Sequence, residues 1–283
     1  MNLNREIWRF KREHGYLINT KVIESASELM DCVDYIWKKI WVAKDPVAEE
    51  EFAWFRGVGC ADYKLIPGIY RKKVWKYNWQ AAHEIRGEFP RRAAPFIDYC
   101  RFYSEGELYH IMQHYGLPTR LLDWTEGMLF ALFFSVRDIP AGDDSHSPCV
   151  WMLNPWWLNE KSTKKRNLFY SHFETGETDD RRVVSPYFDE KKLPPYPIAV
   201  LPPHIDKRII AQKSVFSIQG RKEDGFADLC LLHRDAQLAK LCLDGNKIDK
   251  FKDQLITLGI AETSVFPDLE GLAREIRLEY DMT

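Results

Sequence analysis

No apolar run in these 283 residues approaches the roughly 20 residues that a membrane-crossing helix needs, so no membrane partner is expected. The opening stretch MNLNREIWRFKREHGY has no apolar segment of signal-peptide type. No two cysteines form a CxxC pair. Cys32, Cys60, Cys100, Cys149, Cys230 and Cys242 are scattered, which argues against structural zinc and against a disulfide framework in a chain this long. Reduced, mostly buried thiols and a cytoplasmic location are the expectation. The dinucleotide cradle GxGxxG, the P-loop GxxxxGK[ST] and the nucleophile elbow GxSxG are all missing. His110 and His114 stand one helical turn apart, but the sequence between them, HIMQH, lacks the glutamate of a zinc-protease helix, and no third ligand can be placed. No metal is expected. The formal net charge is -2, so no overall field draws the chain to nucleic acid. Local basic groups remain at Lys72-Lys73, Arg91-Arg92 and the run Lys161 to Arg166.

What is present is an ordinary globular composition, 45% hydrophobic and 29% charged, with an aromatic share of 14% that includes ten tryptophans. Aromatics bring large buried area and flat stacking surfaces, which suit a deep core or a pocket for a planar ligand. There is no internal repeat and no linker, so the chain reads as a single domain over 1–283. An amino-terminal arm and helix occupy 1–50, a core with the site 51–235, and carboxy-terminal helices 236–283.

Taken in order, Ser25 or Ser27 N-caps a helix that carries Leu29, Val33, Ile36, Trp37 and Ile40 at helical spacing and stops at Asp45-Pro46. EFAWFRG (Glu51 to Gly57) reads as a strand. Arg56 closes it, and its guanidinium must meet a carboxylate such as Asp123, a carbonyl or a ligand phosphate. The turn Gly57-Val58-Gly59 lets backbone approach closely. Trp75 to Phe102 and Glu107 to Tyr115 read as helices, and Asp123-Trp124-Thr125 as the N-cap of a buried helix from Leu129. That places Asp123 and Thr125 at a helix N-terminus, where free N–H groups favour anions. Strands are expected at Cys149 to Leu153, Ile198 to Leu201, Phe216 to Ile218 and Leu229 to Leu232, with an irregular segment from Asn154 to Pro197. Helices follow from Lys247 to Leu258, capped by Gly259, and from Pro267, with Asp268 in its first turn.

The densest stretch runs from Glu107 to Val136. It gathers His110, His114, Tyr115, Thr119, Arg120, Asp123, Trp124 and Thr125 within sixteen residues. Such a mixture of functional and apolar groups suggests a site on a rigid element. Each residue also has a plainer reading. His114 suits a core position as well as a catalytic one, Tyr115 and Trp124 suit the core as well as a stacking platform, and Asp123 suits a helix cap. Arg120 is an alternative partner for Asp123, which would leave Arg56 free. His110 and the apolar ALFF block read as scaffold.

EFAWFRG, LIPGIYR, IMQHYGLPTRLLDWTEGMLFALFFSV, RIIAQKSVFSI and LGIAETSVFPDLEGLA together resemble the FRG-domain family, named for its Phe-Arg-Gly motif, here Phe55-Arg56-Gly57. The resemblance runs from about Ser25 to Glu275. More distantly the arrangement is similar to the ADP-ribosyltransferase fold, which implies an α+β architecture: a split β-sheet core with amino- and carboxy-terminal helices packed around it. The resemblance implies an NAD-dependent ADP-ribosyltransferase with NAD as substrate, acting as a toxin or anti-phage effector. Arg56 would hold a phosphate of NAD, Thr125 would stand at the second motif, and Gln212 at the third, where those enzymes more often carry glutamate. The missing carboxylate would be supplied by Asp123, by Glu223 or by nothing. Gly57, Tyr115, Trp124 and Thr125 would complete the NAD contacts, with Tyr115 and Trp124 stacking on nicotinamide. His114 or Asp123 would bond ribose or accept a proton. The acceptor would be nucleic acid, RNA favoured slightly through Lys161 to Arg166, or protein, and an antitoxin or regulatory protein is a further expected partner. Two other classes stay open: a non-catalytic module that binds a nucleotide or partner, and, less favoured, a nuclease or hydrolase. The acidic pairs Asp143-Asp144 and Asp179-Asp180 sit in polar loops and read as solvated.

Overall fold

A nine-stranded mixed sheet, in the order β1-β2-β9-β5-β3-β4-β8-β7-β6, runs through the molecule. The computed structural model describes residues 8–71, 79–96, 105–140, 142–143, 145–170 and 194–280. Lys72-Lys73, Cys100, Asp144 and Asp179-Asp180 lie outside the described residues, as do parts of the helix expected over Trp75 to Phe102 and of the segment from Asn154 to Pro197. The strands are β1 Phe10–Glu13, β2 Tyr16–Asn19, β3 Trp54–Val58, β4 Leu121–Thr125, β5 Cys149–Leu153, β6 Phe169–Tyr170, β7 Ile198–Leu201, β8 Ser214–Ile218 and β9 Leu238–Cys242. The described helices are α1 Ala26–Tyr35, α2 Trp79–Ala93, α3 Glu105–His114, α4 Met128–Val136, α5 Pro155–Thr163, α6 Lys207–Ala211, α7 Gly225–Leu232, α8 Ile248–Thr257, α9 Glu262–Val265 and α10 Leu269–Glu279. The architecture is α+β. None of the described helices is long and apolar enough to cross a membrane.

The middle of the sheet is where the site forms. β3 pairs with β5 over five residues, Trp54↔Leu153 through Val58↔Cys149. β4 pairs as fully with β8, Leu121↔Ile218 through Thr125↔Ser214. Between β3 and β4 the register holds one pair, Phe55↔Thr125. Beyond that pair the Arg56 side chain stands in place of a ladder bond, its Nη1 donating to the Asp123 carbonyl at 2.5 Å. The sheet is thus two half-sheets joined at a short seam.

Side-chain alternation along β3 and β4 supplies the packing on either face. Phe55 packs with Ala131, Leu132, Val150 and Met152 beneath α4. Trp54, Leu122 and Trp124 join Trp151, Leu153 and Phe226 in a second cluster. Leu121 joins Tyr109, Met112 and Phe216 in a third, under α3. Gly57 lies inside β3 rather than in a turn. A Cβ there would stand 1.8 Å from the Ala131 carbonyl oxygen, so the glycine serves helix-on-strand packing, and it also lines the candidate cavity.

Three expectations are corrected by the backbone. Asp123-Trp124-Thr125 is not a helix cap but the end of β4; Gly127 caps α4. The residues LLDWT alternate between two occupied faces, which is a strand pattern, and the helical period starts only at Met128. Leu229 to Leu232 is part of α7, not a strand: Phe226, Leu229 and Cys230 are buried while Leu231 and Leu232 are exposed, a spacing of three to four. The segment after Asn154 is not irregular at its start, because Asn154 caps α5 by accepting from the N–H groups of Trp156 and Trp157, with Pro155 as the first helical residue. Ser25 and Gly259 cap where the sequence put them, whereas the last helix starts at Leu269, so Asp268 is its N-cap and not a first-turn residue. Ser25 Oγ accepts from Glu28 N at 3.2 Å, Gly259 has φ +78°, and Asp268 caps α10 through Gly271 N at 2.9 Å.

Candidate functional site

Where β3 and β4 part, a cavity of about 380 Å³ opens, walled by β3, β4, β8, the end of α3, α6 and Phe266. Arg56 sits at its base. Its side chain is 17% exposed, with Nη1 bonded to the Asp123 carbonyl and 3.7 Å from Asp123 Oδ2. The cation beside Asp123 is therefore Arg56. Arg120 instead lies in the core, with its Nη1 donating to the Gln219 carbonyl at 2.5 Å. Burial pulls the Arg56 guanidinium below its ordinary pKa, Asp123 opposes this, and the nearby charge of Arg71 adds to it. Among the described residues no protein acceptor takes the Nε and Nη2 hydrogens of Arg56.

Asp123 is half exposed, and Gln113 holds it, donating from Nε2 to Oδ1 at 3.2 Å and Oδ2 at 3.0 Å. Gln113 is fixed in turn. Its Oε1 accepts from Thr119 Oγ1 at 2.5 Å, and Thr119 Oγ1 accepts from Leu121 N at 3.0 Å. Sequence reading passed over Gln113, although it stands beside His114. The signal available was that a half-exposed strand carboxylate needs a donor, and the preceding helix ends in one.

Thr125 and Gln212 meet in the cavity, but through groups already engaged. Thr125 Oγ1 donates to the Gln212 carbonyl at 2.7 Å and accepts from Gly127 N at 2.9 Å. Gln212 Nε2 donates to the Val265 carbonyl at 3.1 Å. Both side chains position β4, β8 and the carboxy-terminal segment against one another. His114, the last residue of α3, lines the same cavity, with Nε2 3.8 Å from Asp206 Oδ2 and its ring edge-on to Tyr115. Tyr115 is 73% exposed and lines a neighbouring cavity instead. Trp124 is a correction. Its ring is buried against Phe226 and its Nε1 donates to Ser217 Oγ at 3.0 Å, so it belongs to the core and offers no stacking face. His110 is scaffold, packed 4.6 Å from the Phe216 ring. Glu223 does not line the cavity.

Residues 51–144 match the family model of the FRG domain. The chain carries an FRG domain. No curated protein and no solved structure matches the chain. The FRG match takes in Arg56, Gln113, His114, Asp123 and Thr125, while the opposite wall of the cavity, Arg208, Gln212 and Phe266, comes from beyond it. Arg208 is a second guanidinium in the cleft that sequence reading missed. It lies 5.4 Å from the Phe266 ring centre, and its Nε donates to Asp268 Oδ2 at 2.6 Å. The hydrogen bond to Asp268 raises its pKa, so it stays charged.

In the basic run outside the FRG match, Lys161 and Arg166 are held in ion pairs, while Lys164 and Lys165 are exposed. Lys161 pairs with Asp235 at 3.0 Å, and Arg166 is gripped by Asp45, Glu51 and Glu160, each at 2.7 Å. The hydrogen bond to Glu51 leads in raising the Arg166 pKa. Chemically, the cleft offers two guanidiniums, one oriented carboxylate and two imidazoles, those of His110 and His114, around a space the size of a small ligand.

Proposed function

We propose that this cleft binds NAD and transfers its ADP-ribosyl group to an acceptor. The observation that carries the reading is Arg56: a mostly buried guanidinium at the floor of a cleft, with N–H donors left over after its bond to Asp123. Spare arginine donors in a partly dry site suit a phosphate, which accepts two parallel bonds from the guanidinium fork.

In the proposed step the bond between ribose C1′ and the nicotinamide nitrogen breaks, its electron pair leaving with neutral nicotinamide. An oxygen or nitrogen nucleophile of the acceptor forms a new bond to C1′, and its proton passes to a base. Asp123, locked by Gln113, places negative charge where positive charge builds on the ribose. His114 lies at the cleft wall as the proton acceptor. Thr125 and Gln212 hold the walls in place. A second reading, a nucleotide-binding module without transfer, is favoured by one feature: the Thr125 and Gln212 side chains already bond other parts of the chain.

The test is a calorimetric NAD titration beside transfer of label from NAD to a lysate. Arg56→Ala should weaken NAD binding about 10- to 100-fold and abolish transfer, with folding checked by circular dichroism. Gln113→Leu, which removes both amide bonds to Asp123, should cut transfer about tenfold and leave NAD affinity within about threefold. NAD binding without transfer by the wild type establishes the second reading. No NAD binding at all removes both NAD readings.

A further inference from the structure

Beside the cleft lies a second cavity of about 850 Å³, between α2, α3 and α6. It shares His114 and Ile209 with the cleft, so the two spaces adjoin at the proposed proton acceptor. Its walls are apolar, with Phe89, Ile111, Leu117 and Ile205 among them. Two rings on its rim are bare: Phe96 is 89% exposed and Tyr115 73%. Adjoining exposed apolar surface of this kind marks binding sites.

The charges of the two cavities are opposite in kind. Among the described residues, three carboxylates, Glu84, Glu88 and Asp206, and one guanidinium, Arg92, line the second cavity, and Glu88 accepts from Arg92 Nε at 2.8 Å and from Arg91 outside the lining. Hydrogen bonds from Arg91 and Arg92 lower the Glu88 pKa to about 2, so it stays ionised. The cleft holds two guanidiniums, Arg56 and Arg208, against the one carboxylate of Asp123. An anionic donor suits the cleft and a cationic partner suits the second cavity.

We infer that the second cavity is the acceptor subsite, and that the acceptor is a polypeptide presenting an apolar side chain flanked by lysine or arginine. The apolar side chain enters beside Phe96 and Ile111, and the flanking cations meet Glu84 and Glu88. The phosphates of RNA would meet those same carboxylates at a cost. The role of acceptor rests on the proposed transfer reaction, whereas the peptide-binding surface stands on its own geometry.

The test is fluorescence anisotropy on the full chain without NAD. One probe is a labelled peptide of about ten residues with a phenylalanine between two lysines. The others replace that phenylalanine by serine or both lysines by glutamate, and an oligouridylate serves as competitor. The first peptide should bind about tenfold more tightly than either counterpart, and the oligouridylate should not displace it. Phe96→Ala and the double variant Glu84→Lys/Glu88→Lys, both at exposed positions, should each weaken it about tenfold and leave calorimetric NAD affinity unchanged. Equal binding of all peptides, binding untouched by the variants, or displacement by oligouridylate overturns the inference. Peptide selectivity without NAD binding removes the transferase reading and upholds the surface. NAD binding without peptide selectivity does the reverse.

Discussion

Gly57→Ala should destabilise the protein by about 3 kcal/mol or more, the upper end for overpacking. The added Cβ falls 1.8 Å from the Ala131 carbonyl oxygen and 2.7 Å from Ser135 N, both backbone atoms of α4. A side chain could rotate aside; a helix backbone cannot without lifting off the sheet. Gly59→Ala is the control, because its nearest neighbour is 3.7 Å away, and it should cost under about 1 kcal/mol. Urea denaturation reads both as midpoint shifts. Equal losses at the two positions would show that close packing of α4 is not the reason for Gly57.

Glu262→Ala should cost about 3–5 kcal/mol, the usual loss when one partner of a buried ion pair is removed. Arg137 grips Glu262 through two bonds, Nε to Oε1 at 2.8 Å and Nη2 to Oε2 at 3.1 Å, with side chains only 13% and 6% exposed. The guanidinium also lies 4.4 Å over the Phe266 ring. Without Glu262, the mostly buried guanidinium is left with only the exposed Asp138 carboxylate, 3.9 Å away. The double variant Arg137→Met/Glu262→Leu should recover most of the loss, since no charge is left stranded. A single-variant cost below about 1 kcal/mol, or a double variant no better than the single, refutes the account. Because Phe266 and the Gln212–Val265 bond wall the cleft, Glu262→Ala should weaken NAD binding as well.

The parts legible in the sequence were those whose signal is local. β5 and β7 were read to the residue because their apolar runs are short and bounded by proline or asparagine. Arg56 stood out because a cation at the end of an aromatic strand needs a partner. β4 was misread because Asp-Trp-Thr before an apolar helix also fits a cap, and only its pairing with β8 decides between the two. α7 was misread because a short apolar run carries too few residues to show its period. Gln113 and Arg208 escaped notice because what gives them meaning lies elsewhere in the chain, Asp123 for one and Phe266 with Asp268 for the other. The sequence leaves Trp124 between core and ligand because residue type alone does not say which face of a strand it occupies.

The single register pair between β3 and β4 has a mechanical consequence. The junctions on either side are each five pairs long, so the centre of the sheet has a fault line. Few backbone bonds resist shear along it, and stiffness there is borrowed from α4, which packs on both strands like a splint. A ligand that touched Arg56 on one half-sheet and β8 on the other would act as a rivet. Its binding would then register as slowed amide exchange on both sides of the fault, well away from any atom it contacts.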